Sequence, residues 1–247
     1  PEKSNRTRVT RMQLGLHLKS VHAYYLARPH FRSNSNIDLP FGKFSARTKI
    51  VISESLAGKR IAVTGSTGFL GTALVERILR EVPDCELVLL VRPTRRNSAE
   101  RRVQREILRN DAFDSLRSQW GESFEETCDQ RISVVSGDVS ADGLGLSDLD
   151  RRLFISADVI IHSAATVSFD SPLDSSIEIN LLGPNRIVQL LNEEAVTPHL
   201  IAVSTCYVAG NRRGAANEEL LAGTPFQVKV DWRAEVDAAR RTRSDLD

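Results

Sequence analysis

Residues 63–71 read V-T-G-S-T-G-F-L-G, and what flanks them decides the fold. The apolar run Arg60–Thr64 (R-I-A-V-T) precedes them. Phe69–Glu81 follows with helical spacing at Leu70, Leu74, Ile78 and Leu79. A strand, a glycine triplet and a helix form the setting that a dinucleotide-binding loop requires. Each glycine has its own reason. Gly65 permits the tight turn off the strand, Gly68 lets backbone approach a pyrophosphate, and Gly71 lets the helix pack closely on the sheet. Free N–H groups at the helix start favour a phosphate anion. The spacing is G-x-x-G-x-x-G, one residue longer than G-x-G-x-x-G.

The pattern repeats outward from this loop. Glu86–Val91 (E-L-V-L-L-V) is a second apolar run, and Arg131–Val135, Asp158–His162 and His199–Ser204 supply three more. Ser98–Asn110 has helical spacing, with Ser98 as N-cap and an arginine-rich exposed face. Ser175–Ala195 is a longer helix in which Gly183-Pro184 predicts a kink. Strands apolar throughout and separated by helices predict a parallel sheet covered on both faces, a doubly wound α/β fold of Rossmann type.

Composition bounds the function. The chain has 247 residues, a net charge of +1, 41% hydrophobic and 26% charged residues, enough for a sizeable core and against wholesale nucleic-acid binding. Charge is uneven: Pro1–Ala57 holds ten Lys or Arg against Glu2, Asp38 and Glu54, a net of +7, which leaves −6 for the rest. That basic stretch reads as a solvated arm or linker able to meet an anionic lipid surface. Cys85, Cys128 and Cys206 are scattered without metal-ligand spacing, which suits a reducing compartment and predicts no metal site. No apolar run reaches the ~18 to 20 residues of a membrane span. The expected location is cytoplasmic, with contact to a membrane surface through the arm.

The end of the second strand discriminates between cofactors. An NAD site places Asp or Glu there for the ribose 2′-hydroxyl. This chain has Arg92, with Arg95 and Arg96 beyond it, and guanidinium groups match a 2′-phosphate. The residues thus point to NADPH.

With T-G-S-T-G-F-L-G established, the later segments resemble the extended short-chain dehydrogenase/reductase superfamily. The resemblance covers about Lys59–Gly210 and implies that Thr64, Gly65, Ser66, Thr67, Gly68, Phe69, Leu70 and Gly71 form the cofactor loop. It implies further that Asp138 and Val139 of Gly137-Asp138-Val139 lie near the adenine, and that His162, Ser163, Ala164 and Ala165 lie beside the cofactor. By the same resemblance Asn180 and Thr205, with Ser204 beside it, are catalytic. His162 is expected to serve structure or cofactor contact, not acid–base chemistry. A narrower likeness, to fatty acyl-CoA reductases, rests on L-L-V-R-P at 89–93, S-A-E-R-R at 98–102, F-D-S-L-R at 113–117, G-D-V-S-A-D-G-L-G-L-S at 137–147, H-S-A-A-T-V-S-F at 162–169 and V-S-T-C-Y-V-A-G at 203–210, and D-W-R-A-E-V-D-A-A-R-R-T-R-S-D at 231–245 resembles the insertion of the bacterial members. It implies NADPH-dependent reduction of a fatty acyl-CoA thioester to the aldehyde or alcohol. Related carrier-bound thioester reductase domains share several of these motifs. Other extended dehydrogenases or epimerases and a non-catalytic NADP-binding regulator stay open as alternatives.

Such reductases use a Tyr general acid with Lys four residues later. Here Tyr24, Tyr25 and Tyr207 are followed at that spacing by Arg28, Pro29 and Asn211. Tyr207 is expected to pack at a strand end. The domain reading is an arm at 1–57, a cofactor domain at 58–210 and the start of a charged insertion at 211–247, with the Tyr–Lys segment and the substrate region expected beyond Asp247.

Overall fold

The computed structural model describes residues 52–168, 170–210, 214–215, 217, 219–227 and 229–244. The basic arm read from the sequence lies almost wholly outside these residues. Those up to Val203 belong to one compact unit and those from Ser204 onward to another.

In the first unit, α1 (Ile52–Leu56) leads into β1 (Arg60–Thr64), α2 (Phe69–Glu81) and β2 (Glu86–Val91). A helical excursion follows: α3 (Ala99–Arg102) continues as a π-helix over Val103–Leu108, then come α4 (Asp114–Trp120) and α5 (Phe124–Arg131). Next are β3 (Ile132–Ser136), α6 (Asp148–Ile155) and β4 (Val159–His162). The last segment is α7 (Leu173–Ser176), a π-turn (Ile177–Leu181), α8 (Leu182–Glu193) and β5 (His199–Ala202). In the second unit α9 spans Trp232–Ser244.

All five strands are parallel in the order β3-β2-β1-β4-β5, so the chain reverses direction between β1 and β4. This is the Rossmann order, and its switch point opens a crevice at the carboxyl ends of the strands. The doubly wound expectation holds. Alternating side chains feed two cores. Ile61, Val63, Leu87 and Leu89 face α2, α3, α4 and α5, while Ala62, Val88 and Ile160 face α6 and α8. On the first face Phe113 and Phe124 meet edge-to-face with centroids 6.4 Å apart. The sequence had given no helices at 114–131 or 148–155. These are short, and α5 in particular shows no strong apolar periodicity.

Several expectations need correction. The strand expected through Ser204 ends at Ala202, although Val203 N–H still reaches the His162 carbonyl at 2.8 Å. Tyr207, five residues past that end, is 82% exposed instead of packed. The long helix expected over Ser175–Ala195 runs from Leu173 to Glu193, and its irregularity is π geometry at Ile177–Leu181, just ahead of Gly183-Pro184, where the kink is expected. Likewise, the helix expected over Ser98–Asn110 begins as read, with Ser98 Oγ accepting the Arg101 N–H at 3.3 Å, but changes to π geometry at Val103.

Candidate cofactor site at the sheet switch point

β1 delivers the glycine loop to the crevice. Gly65 has φ +75°, the left-handed region, and a Cβ there would lie 2.5 Å from the Ala164 backbone nitrogen. Gly71 is excluded from carrying a side chain by the loop itself: a Cβ would meet the Gly65 carbonyl at 2.1 Å. The start of α2 thus packs directly on the residues that follow β1, the close approach for which the spacing called. Gly68 differs from both. A Cβ there would touch only the Gly65 carbonyl, at 3.2 Å, and Gly68 itself lines the cleft. No side chain caps α2 at Gly68, and its first turn carries no acid, so the leading amides are available to an anion.

A buried polar knot holds β1 to β4 beneath the loop. Thr64 Oγ1 lies 2.7 Å from His162 Nδ1 and accepts the Ala164 N–H at 3.3 Å. Ser163 Oγ and N–H both donate to the Thr64 carbonyl, at 3.0 and 3.2 Å. One proton is shared in the Thr64–His162 contact, and the tautomer of the imidazole sets which of the two donates it. Burial pushes the His162 pKa down to about 4, so the ring is neutral at pH 7. Ser66 is fully buried, and its Oγ has no hydrogen-bond partner among the described residues.

The cleft, about 250 Å³, is lined by Gly65, Thr67, Gly68, Arg92, Asp138, Val139, Ser163, Ala164 and Ala165, with Leu90, Val91, Arg102, Gly137 and Ile179. Of the residues picked from the sequence, Thr64, Ser66, Gly71 and His162 lie buried behind this surface. Phe69 and Leu70 are exposed on the first turn of α2. Arg92 stands at the end of β2 with its side chain 60% exposed, and Nη1 is 3.6 Å from Asp138 Oδ2. The other carboxylate oxygen of Asp138 accepts from Ser140 N–H and Oγ, at 2.8 and 2.7 Å. Behind Asp138, Leu144 is held at φ +59° so that its carbonyl accepts the Asp138 N–H at 2.8 Å.

Asn180 lies in the π-turn. Its Oδ1 accepts the Thr166 N–H at 2.8 Å and its Nδ2 donates to the Thr166 carbonyl at 2.9 Å, clamping the loop that leaves β4. Ser204 and Thr205 belong to the second unit, both exposed, where Thr205 Oγ1 accepts the Tyr207 N–H at 3.1 Å.

Arg102 escaped the sequence reading as a site residue. It donates to the Arg92 carbonyl at 2.7 Å and to Thr67 Oγ1 at 3.4 Å while pairing with Glu106 at 2.7 Å, so it ties the β2 end to the glycine loop. The signal was present as an i,i+4 Arg–Glu pair on the helix after β2, but only the fold turns that face to the cleft.

The donors fit a dinucleotide. An open glycine cradle meets an uncapped helix start, and an accessible guanidinium lies across from them. The male sterility protein family matches residues 63–244. Fatty acyl-CoA reductase 1 of Arabidopsis thaliana is 36% identical over 177 residues, covering 70% of this chain and 35% of that protein. The alcohol-forming fatty acyl-CoA reductase of Simmondsia chinensis is 33% identical over 171 residues, 68% of this chain and 35% of that protein. Among solved structures, the terminal R domain from the myxalamid PKS-NRPS biosynthetic pathway superposes with a TM-score of 0.50 at 32% identity, over 64% of this chain and 38% of that one. The chain spans about a third of the length of these curated relatives.

Proposed function

The chain belongs to the male sterility protein family of NAD-binding domains, and from that premise we propose that its cleft takes NADPH and serves reduction of a fatty acyl-CoA thioester to the aldehyde, with further reduction to the alcohol. The observation that carries the cofactor choice is Arg92. Its guanidinium stands on the cleft rim at the end of β2, loosely paired at 3.6 Å and mostly in solvent. That leaves donors for a 2′-phosphate where an acidic residue would instead accept from a hydroxyl.

The cofactor, when bound, supplies the hydride. The chain's own residues do the rest. Gly65 and Gly68 keep the cradle free of side chains, and the start of α2 offers amides to the pyrophosphate. Asp138 and Val139 line the adenine end, and Ser163, Ala164 and Ala165 give a wall of small side chains. Thr205, with Ser204, is assigned to hold the substrate carbonyl oxygen, where negative charge builds as the carbon is reduced. Asn180 acts through the Thr166 backbone.

Titration of NADPH and NADH against the protein and its Arg92→Glu variant tests this. A charge-assisted contact of about 1.5–3 kcal/mol predicts roughly 10- to 100-fold preference for NADPH, lost in the variant. A preference unchanged by the substitution refutes the assignment. For the substrate, NADPH consumption by the natural protein with a long-chain acyl-CoA is the expected positive result. A second reading, reduction of a carrier-bound thioester, draws on the likeness to the myxalamid R domain, and turnover with carrier-bound acyl groups alone would select it.

Among the described residues no helix is long and apolar enough to cross a membrane. We place the protein in the cytoplasm, with residues 1–57 contacting anionic lipid. Deleting them is expected to abolish co-sedimentation with anionic vesicles, and unchanged co-sedimentation refutes the contact.

A further inference from the structure

We propose that Arg186 is a positioning residue for the cofactor cleft, joining the π-turn that carries Asn180 to the strap that carries Asp138. The argument starts from an anomaly of charge. Arg186 is 8% exposed in the middle of α8, among apolar neighbours such as Ile187 and Leu190. A guanidinium in such a place requires partners for its donors.

Those partners lie on two different segments. Nη2 meets Glu178 Oε2 at 2.5 Å, Nη1 donates to the Glu178 carbonyl at 2.9 Å, and Nε reaches Asp142 Oδ1 at 3.2 Å. The backbone bond to Glu178 follows from the π geometry. In a regular helix the Glu178 carbonyl would accept the Leu182 N–H. The π-turn diverts that N–H to Ile177, and Arg186 supplies a donor to the carbonyl it left. Holding the extra residue in the turn presents Asn180 to Thr166, one residue beyond Ala165 of the cleft wall. Insertions of this kind recur at functional sites.

The third contact extends the same hold to the opposite wall. Asp142 begins the turn in which Leu144 adopts its left-handed conformation and fixes the Asp138 N–H. Val139 and Ile179, one on each anchored element, line the cleft. A single cation thus bridges both walls, more firmly at Glu178 than at the fully exposed Asp142 carboxylate, and its consequence for cofactor affinity rests on the reading of the cleft as a dinucleotide site.

Site-resolved amide hydrogen exchange on the protein without cofactor tests the coupling independently of that reading. The Thr166 N–H reports the Asn180 clamp directly. In Arg186→Met its exchange is expected to speed at least 10-fold, as are amides of 138–146, while those of β1 and β2 stay within about 2-fold of wild type. Asn180→Ala should release Thr166 but not 138–146, and adding Arg186→Met should release Thr166 no further. Arg186→Lys, which keeps the charge but not the three-way fork, covers the case in which Met at this site prevents folding, and is expected to release the same two segments more weakly. Unchanged exchange at Thr166, or equal acceleration throughout the sheet, overturns the proposal. Wild-type protein that fails to bind NADPH would refute the functional reading and leave this result intact.

Discussion

Lowering the pH from 7 to 4 forces a proton onto a group that the fold keeps neutral. His162 is 4% exposed, and burial moves its pKa from 6.5 down to about 4. Between those values the unfolded chain carries a proton that the folded chain does not, so stability rises with pH across that window. The contribution is complete above pH 6.5, is lost as pH falls through 6.5 toward 4, and changes no further below 4. About 2.5 pH units at 1.36 kcal/mol each give a loss of about 3 kcal/mol. Carboxylates titrate in the same range, so the comparison is with His162→Gln, which keeps a hydrogen-bonding side chain beside Thr64 but does not titrate. Urea unfolding followed by circular dichroism at pH 7, 6, 5 and 4 gives the stability of each. The margin of wild type over the variant is expected to shrink by about 3 kcal/mol from pH 7 to 4. A margin that stays constant would mean that His162 titrates alike in both states, and the neutral imidazole under the glycine loop would have to be abandoned.

Three other outcomes follow from the same geometry. Gly71→Ala is expected to disrupt the loop, because its Cβ would lie 2.1 Å from a backbone carbonyl, whereas Gly68→Ala should keep the unfolding midpoint and weaken NADPH by at least 10-fold, about 1.4 kcal/mol. Calorimetry against thermal melts separates the two, and equal behaviour would contradict the division of roles. Arg131 donates to the carbonyls of Leu79, Val82 and Cys85 at 2.9, 2.8 and 3.1 Å. Arg131→Met strands these acceptors and should cost about 3 kcal/mol in urea unfolding; a loss under 1 kcal/mol would show that water replaces it. A thiol reagent at pH 8 should label Cys206, which is exposed, well before Cys128, which burial pushes up to about 11, or Cys85, raised by burial against the opposing pull of Arg131. Rapid labelling of Cys128 in the folded protein would refute the packing of α5.

The strands were legible because each parallel strand is buried on both faces and reads as an unbroken apolar run. Arg60–Thr64 and Glu86–Val91 match the observed elements to the residue, β3 is shifted by one residue at both ends, and β4 starts one residue later than expected. Helix type was less legible. The π geometry at Val103–Leu108 and Ile177–Leu181 leaves no mark on apolar spacing, since one extra residue per turn is absorbed by contacts from elsewhere. The bond from Arg186 to the Glu178 carbonyl is such a contact.

The sequence by itself determined the architecture and the place of the site. A glycine triplet between the first strand and the first helix is the setting of a dinucleotide loop, and alternating apolar runs and helices can bury their faces in few ways. Tertiary structure decided what each residue does there. Thr64, Ser66 and His162 belong to the site's foundation, not its surface, because β1 and β4 pair side by side and bury their ends. Arg102 and Arg186, unremarkable in the chain, became site residues because the fold brings the end of β2, the strap after β3 and the turn before α8 around one cleft. Distances between segments far apart in sequence set those roles, and no local pattern encodes them.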